Sequence, residues 1–381
     1  MPNRAAGSAP AVLARRYAGT LRHREDGGVA LIELQMFPGQ DGDCLLLTYG
    51  DQSRTRRVMI DGGRAATYPL IKPKLTELGG ERIDVLVITH VDQDHILGVL
   101  SLFDDPEPPV EFLDIWFNGF DQLNDNQFES FGPVDGERFT AILTDRQLPW
   151  NKAFKGCAIE VGRPQFPFDD EAEFRIVAPD RTLLQNLIPT WTRECAKSGL
   201  IPGVDPERPE PGDSFERFGA LDVAAVRQLA ASQFKPDTSK ANMTSIGFLF
   251  EYDDTRILFT GDGDVPRLIA SLRPMAEQEG GRVRIDALKV PHHGSGQNIS
   301  RELLEIIDCK RYLISTSGVR YAHPDDVAMA RILAFGGHRK ELVFNYESRA
   351  ALWRNEALQA EFDYTVIGSN GADGFALVSF E

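Results

Sequence analysis

Apolar positions recur along the chain in short runs of strand length, each closed by Gly, Pro, Asp or Asn. Residues 30–37 (ALIELQMF) alternate, PGQDGD (38–43) makes a turn, and 44–50 (CLLLTYG) read as a second strand, so order is expected from about Val29. A short strand at 58–60 stops at Asp61, Gly62 and Gly63. Helical spacing over 68–78 closes on Gly79 and Gly80. The apolar run 85–88 then has the length of a buried strand, and it ends in THVDQDH (89–95) before a second apolar segment, 96–102, begins.

The second half repeats the pattern. A strand at 174–180 leads into a helix starting at 181, and a hairpin over 245–252 and 256–262 turns at Asp253 and Asp254. Helices are expected over 265–279, 301–309 and 325–335, with strands at 285–290, 311–316, 343–346 and 375–380. Between them lie an acidic, loop-rich insert at about 104–168 and an exposed Pro- and Gly-rich loop at about 202–213. Residues 1–28 read as a disordered tail ahead of a single domain over 29–381. Strands alternating with helices in both halves make this an α/β protein.

Composition narrows the function more than the fold. With 42% hydrophobic and 26% charged residues the chain is ordinary for a globular protein, and no stretch has the roughly 18 apolar residues of a membrane span. The formal charge of −16 opposes non-specific binding to nucleic-acid backbones, so a polyanionic substrate would need a local positive feature such as metal ions. Four cysteines (44, 157, 195 and 309) without a CxxC pair and without a secretory leader read as reduced thiols of a cytoplasmic protein.

Chemistry concentrates where strands end. His90, Asp92, Asp94 and His95 fall within six residues after the strand at 85–88, and such side chains ligate divalent metals. His90, Asp92 and Asp94 share one parity while His95 has the other, so one loop could serve two neighbouring ions. Asp262 follows the strand at 256–262, His292 and His293 follow 285–290, and His323 follows 311–316 through a loop. Strands whose carboxyl ends all carry ligand-type residues imply one site along a sheet edge. Each motif has a plainer alternative: a helix cap at Asp92 or Asp94, an ordinary turn at TGD, an anion loop at HHGS. Their joint occurrence at strand ends favours the common site.

These motifs resemble those of the metallo-β-lactamase-fold hydrolases, and within them the hydrolase domain of the competence protein ComEC and its stand-alone soluble relatives. The likeness is carried by FPGQDGDCLLL, MIDGG (59–63), THVDQDHILG, NMTSIGFLFEY with ILFTGD, KVPHHGS (289–295) and RYAHP (320–324). It implies a four-layer αββα sandwich. It also implies His90 and Asp92 on a first ion, Asp94, His95 and His323 on a second, and Asp262 bridging, with one or two divalent ions bound: zinc or manganese, with magnesium admissible. Asp94, His292 and His293 are then the catalytic candidates, the histidine pair either completing a metal shell or protonating the leaving group. Asp61 is expected to orient the ligand loop through hydrogen bonds, and Asn242 and Ser245 to touch a substrate oxygen or pack the hairpin.

Two departures stand out. Asp92 replaces the second His of HxHxDH, which hardens the site and tilts it from zinc toward manganese or magnesium, and no His lies between Gly98 and Asp262 to supply a third motif. The resemblance therefore implies a metal-dependent phosphodiesterase or nuclease acting on a small phosphodiester or nucleic acid. Hydrolysis of a carboxylic ester, lactone or thioester is the enzymatic alternative, and a non-catalytic regulatory protein the other. No membrane partner is expected, and nothing in the sequence identifies a protein partner.

Overall fold

Parity along the second strand shows how the layers form. Leu45, Leu47 and Tyr49 point into one buried cluster, while Cys44 and Leu46 on the other parity point into a second. A strand apolar on both faces must lie between two packed layers. The computed structural model describes residues 31–51, 54–80, 82–123, 134–165, 171–198, 221–370 and 374–380. The tail expected over 1–28 and the loop expected over 202–213 lie outside the described residues.

The first half runs β1 (Leu31–Met36), β2 (Leu45–Gly50), β3 (Thr55–Ile60), α1 (Tyr68–Thr76), β4 (Ile83–Val87), α2 (Gln93–Asp104), β5 (Phe112–Trp116), α3 (Phe120–Leu123) and α4 (Val134–Asp145). The second runs β6 (Glu173–Ala178), α5 (Arg181–Ser198), α6 (Val223–Ala230), β7 (Gly247–Tyr252), β8 (Thr255–Phe259), α7 (Val265–Gln278) and β9 (Val283–Lys289). It continues through α8 (Arg301–Glu305), β10 (Ile307–Ile314), α9 (Asp326–Phe335), β11 (Lys340–Phe344), α10 (Glu347–Ala350), α11 (Glu356–Phe362), β12 (Tyr364–Ile367) and β13 (Ala376–Phe380).

Six strands form one sheet in the order β13-β1-β2-β3-β4-β5, and seven form the other in the order β12-β11-β10-β9-β8-β7-β6. Between them lies a cluster fed by both sheets, including Leu47, Val85, Trp116, Phe248, Phe250, Ile257 and Leu313. The opposite face of the first sheet packs Leu46, Leu86 and Ile88 against Ile96, Val99, Phe139 and Trp191. That of the second packs Leu258, Leu288 and Ile314 against Val226, Leu268, Leu303 and Met329. The result is the expected four-layer αββα sandwich.

Three local expectations change. Within 104–168, β5 pairs in parallel with β4 as an edge strand, and α4 packs Phe139 and Leu143 into the core, so this stretch is built into the sheet. Its periodicity escapes notice because β5 has only five residues and is preceded by a Pro-rich turn. The helix expected over 301–309 ends at Glu305, and residues from Ile307 join β10, whose alternation of buried and exposed positions matches a half-covered strand. Helix α6 and strand β12 were not anticipated, being only eight and four residues long.

The carboxyl ends of β4, β8, β9 and β10 meet along one edge, where the two sheets are stitched together. Ile246 N–H donates across the sheets to the Thr89 carbonyl at 2.9 Å, and within the first half Gly62 N–H donates to the His95 carbonyl at 2.8 Å. Close backbone approach here requires glycine. A Cβ on Gly42 would fall 1.6 Å from the Asp94 carbonyl oxygen, and one on Gly98 would fall 1.9 Å from that of Gly62.

Away from this edge, Glu137 on α4 accepts the Trp191 indole N–H at 3.1 Å, and burial together with the charge of Asp121 raises its carboxyl to about 7. The unfolded chain loses this proton near 4.5 while the fold keeps it, so stability falls as pH rises from about 4.5 and the loss is complete above about 7. Glu137→Gln is therefore expected to stabilise the protein at pH 8 by on the order of 1–2 kcal/mol and to change little at pH 4. Thermal unfolding at the two pH values reads the difference, and an equal effect at both would contradict it.

Candidate metal centre

The loop after β4 is anchored by one carboxylate. Asp61, fully buried at the end of β3, accepts the Thr89 N–H at 2.8 Å, the Thr89 hydroxyl at 2.7 Å and the His95 Nδ1–H at 2.7 Å. Because the Thr89 hydroxyl donates its proton to Asp61, its oxygen is left to accept from His90 Nδ1 at 3.1 Å. His293 donates its Nδ1–H to the Ser315 carbonyl at 3.0 Å, and His292 donates its own to Asn298 Oδ1 at 3.0 Å, with Asp237 Oδ2 at 3.3 Å. Four imidazoles are thus tied at Nδ1, and each turns Nε2 toward the same space.

Asp262 stands in that space. Its Oδ2 lies 3.4 Å from His95 Nε2, 3.6 Å from His292 Nε2 and 3.8 Å from His90 Nε2, and its Oδ1 lies 3.5 Å from His293 Nε2. His95 Nε2 and His293 Nε2 face each other at 3.2 Å, with Asp94 Oδ2 at 4.0 and 3.8 Å. Ligand atoms of His90, His95 and Asp262 lie within 4.8 Å of one another, as do those of Asp94, His95 and His293. His90 Nε2 and Asp262 Oδ1 are buried without a hydrogen-bond partner, a costly state for polar atoms. Lone pairs converging on a carboxylate, two of these atoms otherwise orphaned, fit a divalent cation.

Electrostatics agree with this fit. Burial alone would raise the Asp262 carboxyl, but the charges of His292, His293 and His95 hold it well below the usual range. Burial lowers His90 to about 4, whereas His293, for which burial also works downward, is raised to about 9 by Asp262 and Asp43. The same carboxylate charge that raises His293 and His95 would favour a divalent cation, which binds their deprotonated rings.

The structure sorts the expected residues. His90, Asp94, His95, Asp262, His292 and His293 come together. Asp92 occupies the N-cap position of α2, but its side chain makes no capping bond and its Oδ2 lies 3.8 Å from His90 Nε2, partly exposed. His323 stands further out, its Nδ1 tied to Asp325 Oδ1 at 2.9 Å and its ring edge-on to His292 at 5.4 Å. His293 holds the position beside Asp94 and His95 that the family resemblance implied for His323. Asn242 donates to Asp237 Oδ2 at 2.7 Å beneath His292, and the Ser245 hydroxyl accepts the Asp262 N–H at 3.1 Å, so both brace ligands.

Asp43, Asp237, Asn298 and Thr89 were missed. Asp43, in the turn after β1, faces His293 Nδ1 at 3.4 Å and pairs with Lys289 Nζ at 2.6 Å, both side chains almost wholly buried. Burial would raise the Asp43 carboxyl, yet Lys289 and His293 keep it well below the usual range. The signal was present as an acidic residue closing PGQDGD and a lysine opening KVPHHGS, but only the fold brings the two together.

The Metallo-beta-lactamase superfamily model matches residues 39–111, which include Asp43, Asp61 and the whole 89–95 cluster. The chain has the metallo-β-lactamase fold, and this match with the ligand cluster supports a metal-dependent hydrolase. Among solved structures it is similar to a proposed metal-dependent hydrolase from Parabacteroides distasonis, at 11% identity over 83% of this chain and 97% of that one, TM-score 0.37. It is also similar to the metallo-beta-lactamase fold protein YhfI from Bacillus subtilis, at 10% identity over 92% of this chain and 100% of that one, TM-score 0.37. No curated protein matches.

Removing one member of a buried ion pair strands the other. Asp43→Ala is expected to destabilise the fold by about 3–5 kcal/mol, and the double change Asp43→Asn with Lys289→Met to recover more than half of that. Urea unfolding of the two variants checks this; a neutral Asp43→Ala would contradict it.

Proposed function

We propose that the protein is a metal-dependent phosphodiesterase of the ComEC-like kind, acting on small phosphodiesters or nucleic-acid ends. The observation that carries this reading is the set of imidazoles fixed at Nδ1 whose Nε2 atoms surround the Asp262 carboxylate. His95, His293 and Asp94 would hold one divalent ion, and His90 with Asp262, supplemented by Asp92, a second. Such ions supply acidified water and neutralise charge that builds on phosphoryl oxygen. The carboxylate-rich donor set suits manganese or magnesium as well as zinc.

The protein's own groups do the rest. Asp61, Ser315 and Thr89 fix the imidazole orientations, so no reorganisation is needed when charge develops. His292, about one-quarter exposed while its neighbours are sealed, is placed to pass a proton from Nε2 to a departing alkoxide. Asp237 and Asn298 at Nδ1 hold its ring for that transfer. The burial of His90, His95 and His293 keeps bulk water from the reacting side. Among the described residues no helix is long and apolar enough to cross a membrane.

The net charge of −16 favours a small substrate over long duplex DNA, and keeps acyl esters and lactones as the comparison. Cleavage of bis(p-nitrophenyl) phosphate with manganese and with zinc is expected, together with a loss of at least about 100-fold in His90→Ala. Full activity in that variant would overturn the proposal, and turnover of a lactone but of no phosphodiester would transfer the site to the acyl chemistry.

A further inference from the structure

Outward from the buried ligands runs an unbroken series of rings. His90 lies 4.2 Å from His95 between centroids, His95 5.1 Å from His293, His293 6.0 Å from His292, and His292 5.4 Å from His323. The series ends at Tyr321, 6.1 Å from His323 with the planes inclined by 34°. Tyr321 is 47% exposed and Val319 is 74% exposed, both on the loop between β10 and α9. Between them the Arg320 guanidinium lies 5.6 Å from the Tyr321 ring centroid, and its Nε is buried with no hydrogen-bond partner.

Single exposed apolar side chains are normal on a protein surface. This pair differs in place and in company. Tyr321 borders His323, whose ring lies edge-on to the proton-donating candidate His292, and the arginine beside it makes no ion pair among the described residues, in a chain carrying a net charge of −16. Nearby, Arg64 is held by Asp41 through contacts of 2.9 and 2.7 Å, and its cation also feels Asp94 and Tyr321. A half-exposed ring with a guanidinium over it that makes no ion pair among the described residues matches a nucleotide: aromatic faces stack bases without regard to sequence, and guanidinium forks bind phosphate.

We propose that Tyr321 and Arg320 form a nucleotide subsite, in which Tyr321 stacks a nucleobase and Arg320 pairs with the adjoining phosphate. The proposal rests on the phosphodiesterase reading above and narrows it: the preferred substrate is a nucleotide-sized phosphodiester carrying a base on the side toward β10 and α9. Tyr321 and Arg320 act on binding and specificity, while the reacting phosphorus is handled by the buried cluster.

Two p-nitrophenyl phosphodiesters with the same leaving group separate the roles, one the thymidine 5′-ester and the other the methyl ester. With manganese-loaded protein, Tyr321→Ala is expected to raise KM for the thymidine ester about tenfold, the size of one base–aromatic stack, with kcat within about twofold. Tyr321→Phe should retain the wild-type KM, and the methyl ester should respond to neither change. Arg320→Ala should raise KM for the thymidine ester that also carries a 3′-phosphate, whose second phosphate is not the reacting one, and lower its salt slope by about one, while leaving the methyl ester unchanged. Equal shifts for both esters, or none, would overturn the subsite. Calorimetric binding of thymidine 5′-monophosphate is read in parallel. Wild-type binding about tenfold tighter than that of Tyr321→Ala upholds the subsite even where neither ester is cleaved, in which case only the phosphodiesterase reading falls. Equal affinities, or no binding to wild type, overturn the subsite whatever the turnover.

Discussion

One buried carboxylate sets the geometry on which everything else at the site depends. Asp61 accepts three hydrogen bonds, two from Thr89 and one from His95, and through the Thr89 hydroxyl it also fixes His90. It sits in a left-handed backbone conformation with φ of 56°, an uncommon state for a residue with a Cβ. That backbone turn swings the end of β3 beneath the loop after β4, where a carboxylate can fix two imidazoles at once. Loss of Asp61 would leave His95 free to rotate and Thr89 free to reverse its donor and acceptor roles, and the convergence of Nε2 atoms would be lost.

From this anchor the site is assembled across the sandwich. The first sheet delivers His90, Asp94 and His95, and the second delivers Asp262, His292 and His293, so the two sheets must meet at a fixed angle for the cluster to exist. The glycines at 42 and 98 permit backbone contacts that no other residue would allow there. The buried Lys289–Asp43 pair adds a charged tie between the turn after β1 and the end of β9, directly beneath His293. A buried pair of this kind contributes little net stability against an apolar substitute, and its value lies in fixing which groups face one another.

Much of this was legible in the sequence, and the parts that were not share a cause. The α/β class follows from strands alternating with helices, the four-layer αββα arrangement was implied by the resemblance of the motifs, and the ligands at 90, 94, 95, 262, 292 and 293 announce themselves by type and by position after a strand. What the sequence hides is distance between segments. Asp43 and Asp237 are ordinary loop acids until the fold sets them against His293 and His292. The roles of His293 and His323 could not be told apart from spacing, since both follow strands that are neighbours in the same sheet. Short elements such as β5 and β12 carry too few residues for a period to show. The absent third-motif histidine is the converse case: its lack was plain, and it leaves His90 with fewer imidazole companions than His95 has.

The central claim is that the Nε2 atoms gathered around Asp262 exist to hold divalent metal. Metal analysis of the purified protein, followed by anomalous diffraction from crystals reconstituted with manganese or zinc, tests it most directly. The account predicts bound metal between His95, His293 and Asp94, with a second and weaker position beside His90 and Asp262. Protein that retains no ion after reconstitution, or that binds ions elsewhere while these histidines stay metal-free, would contradict it.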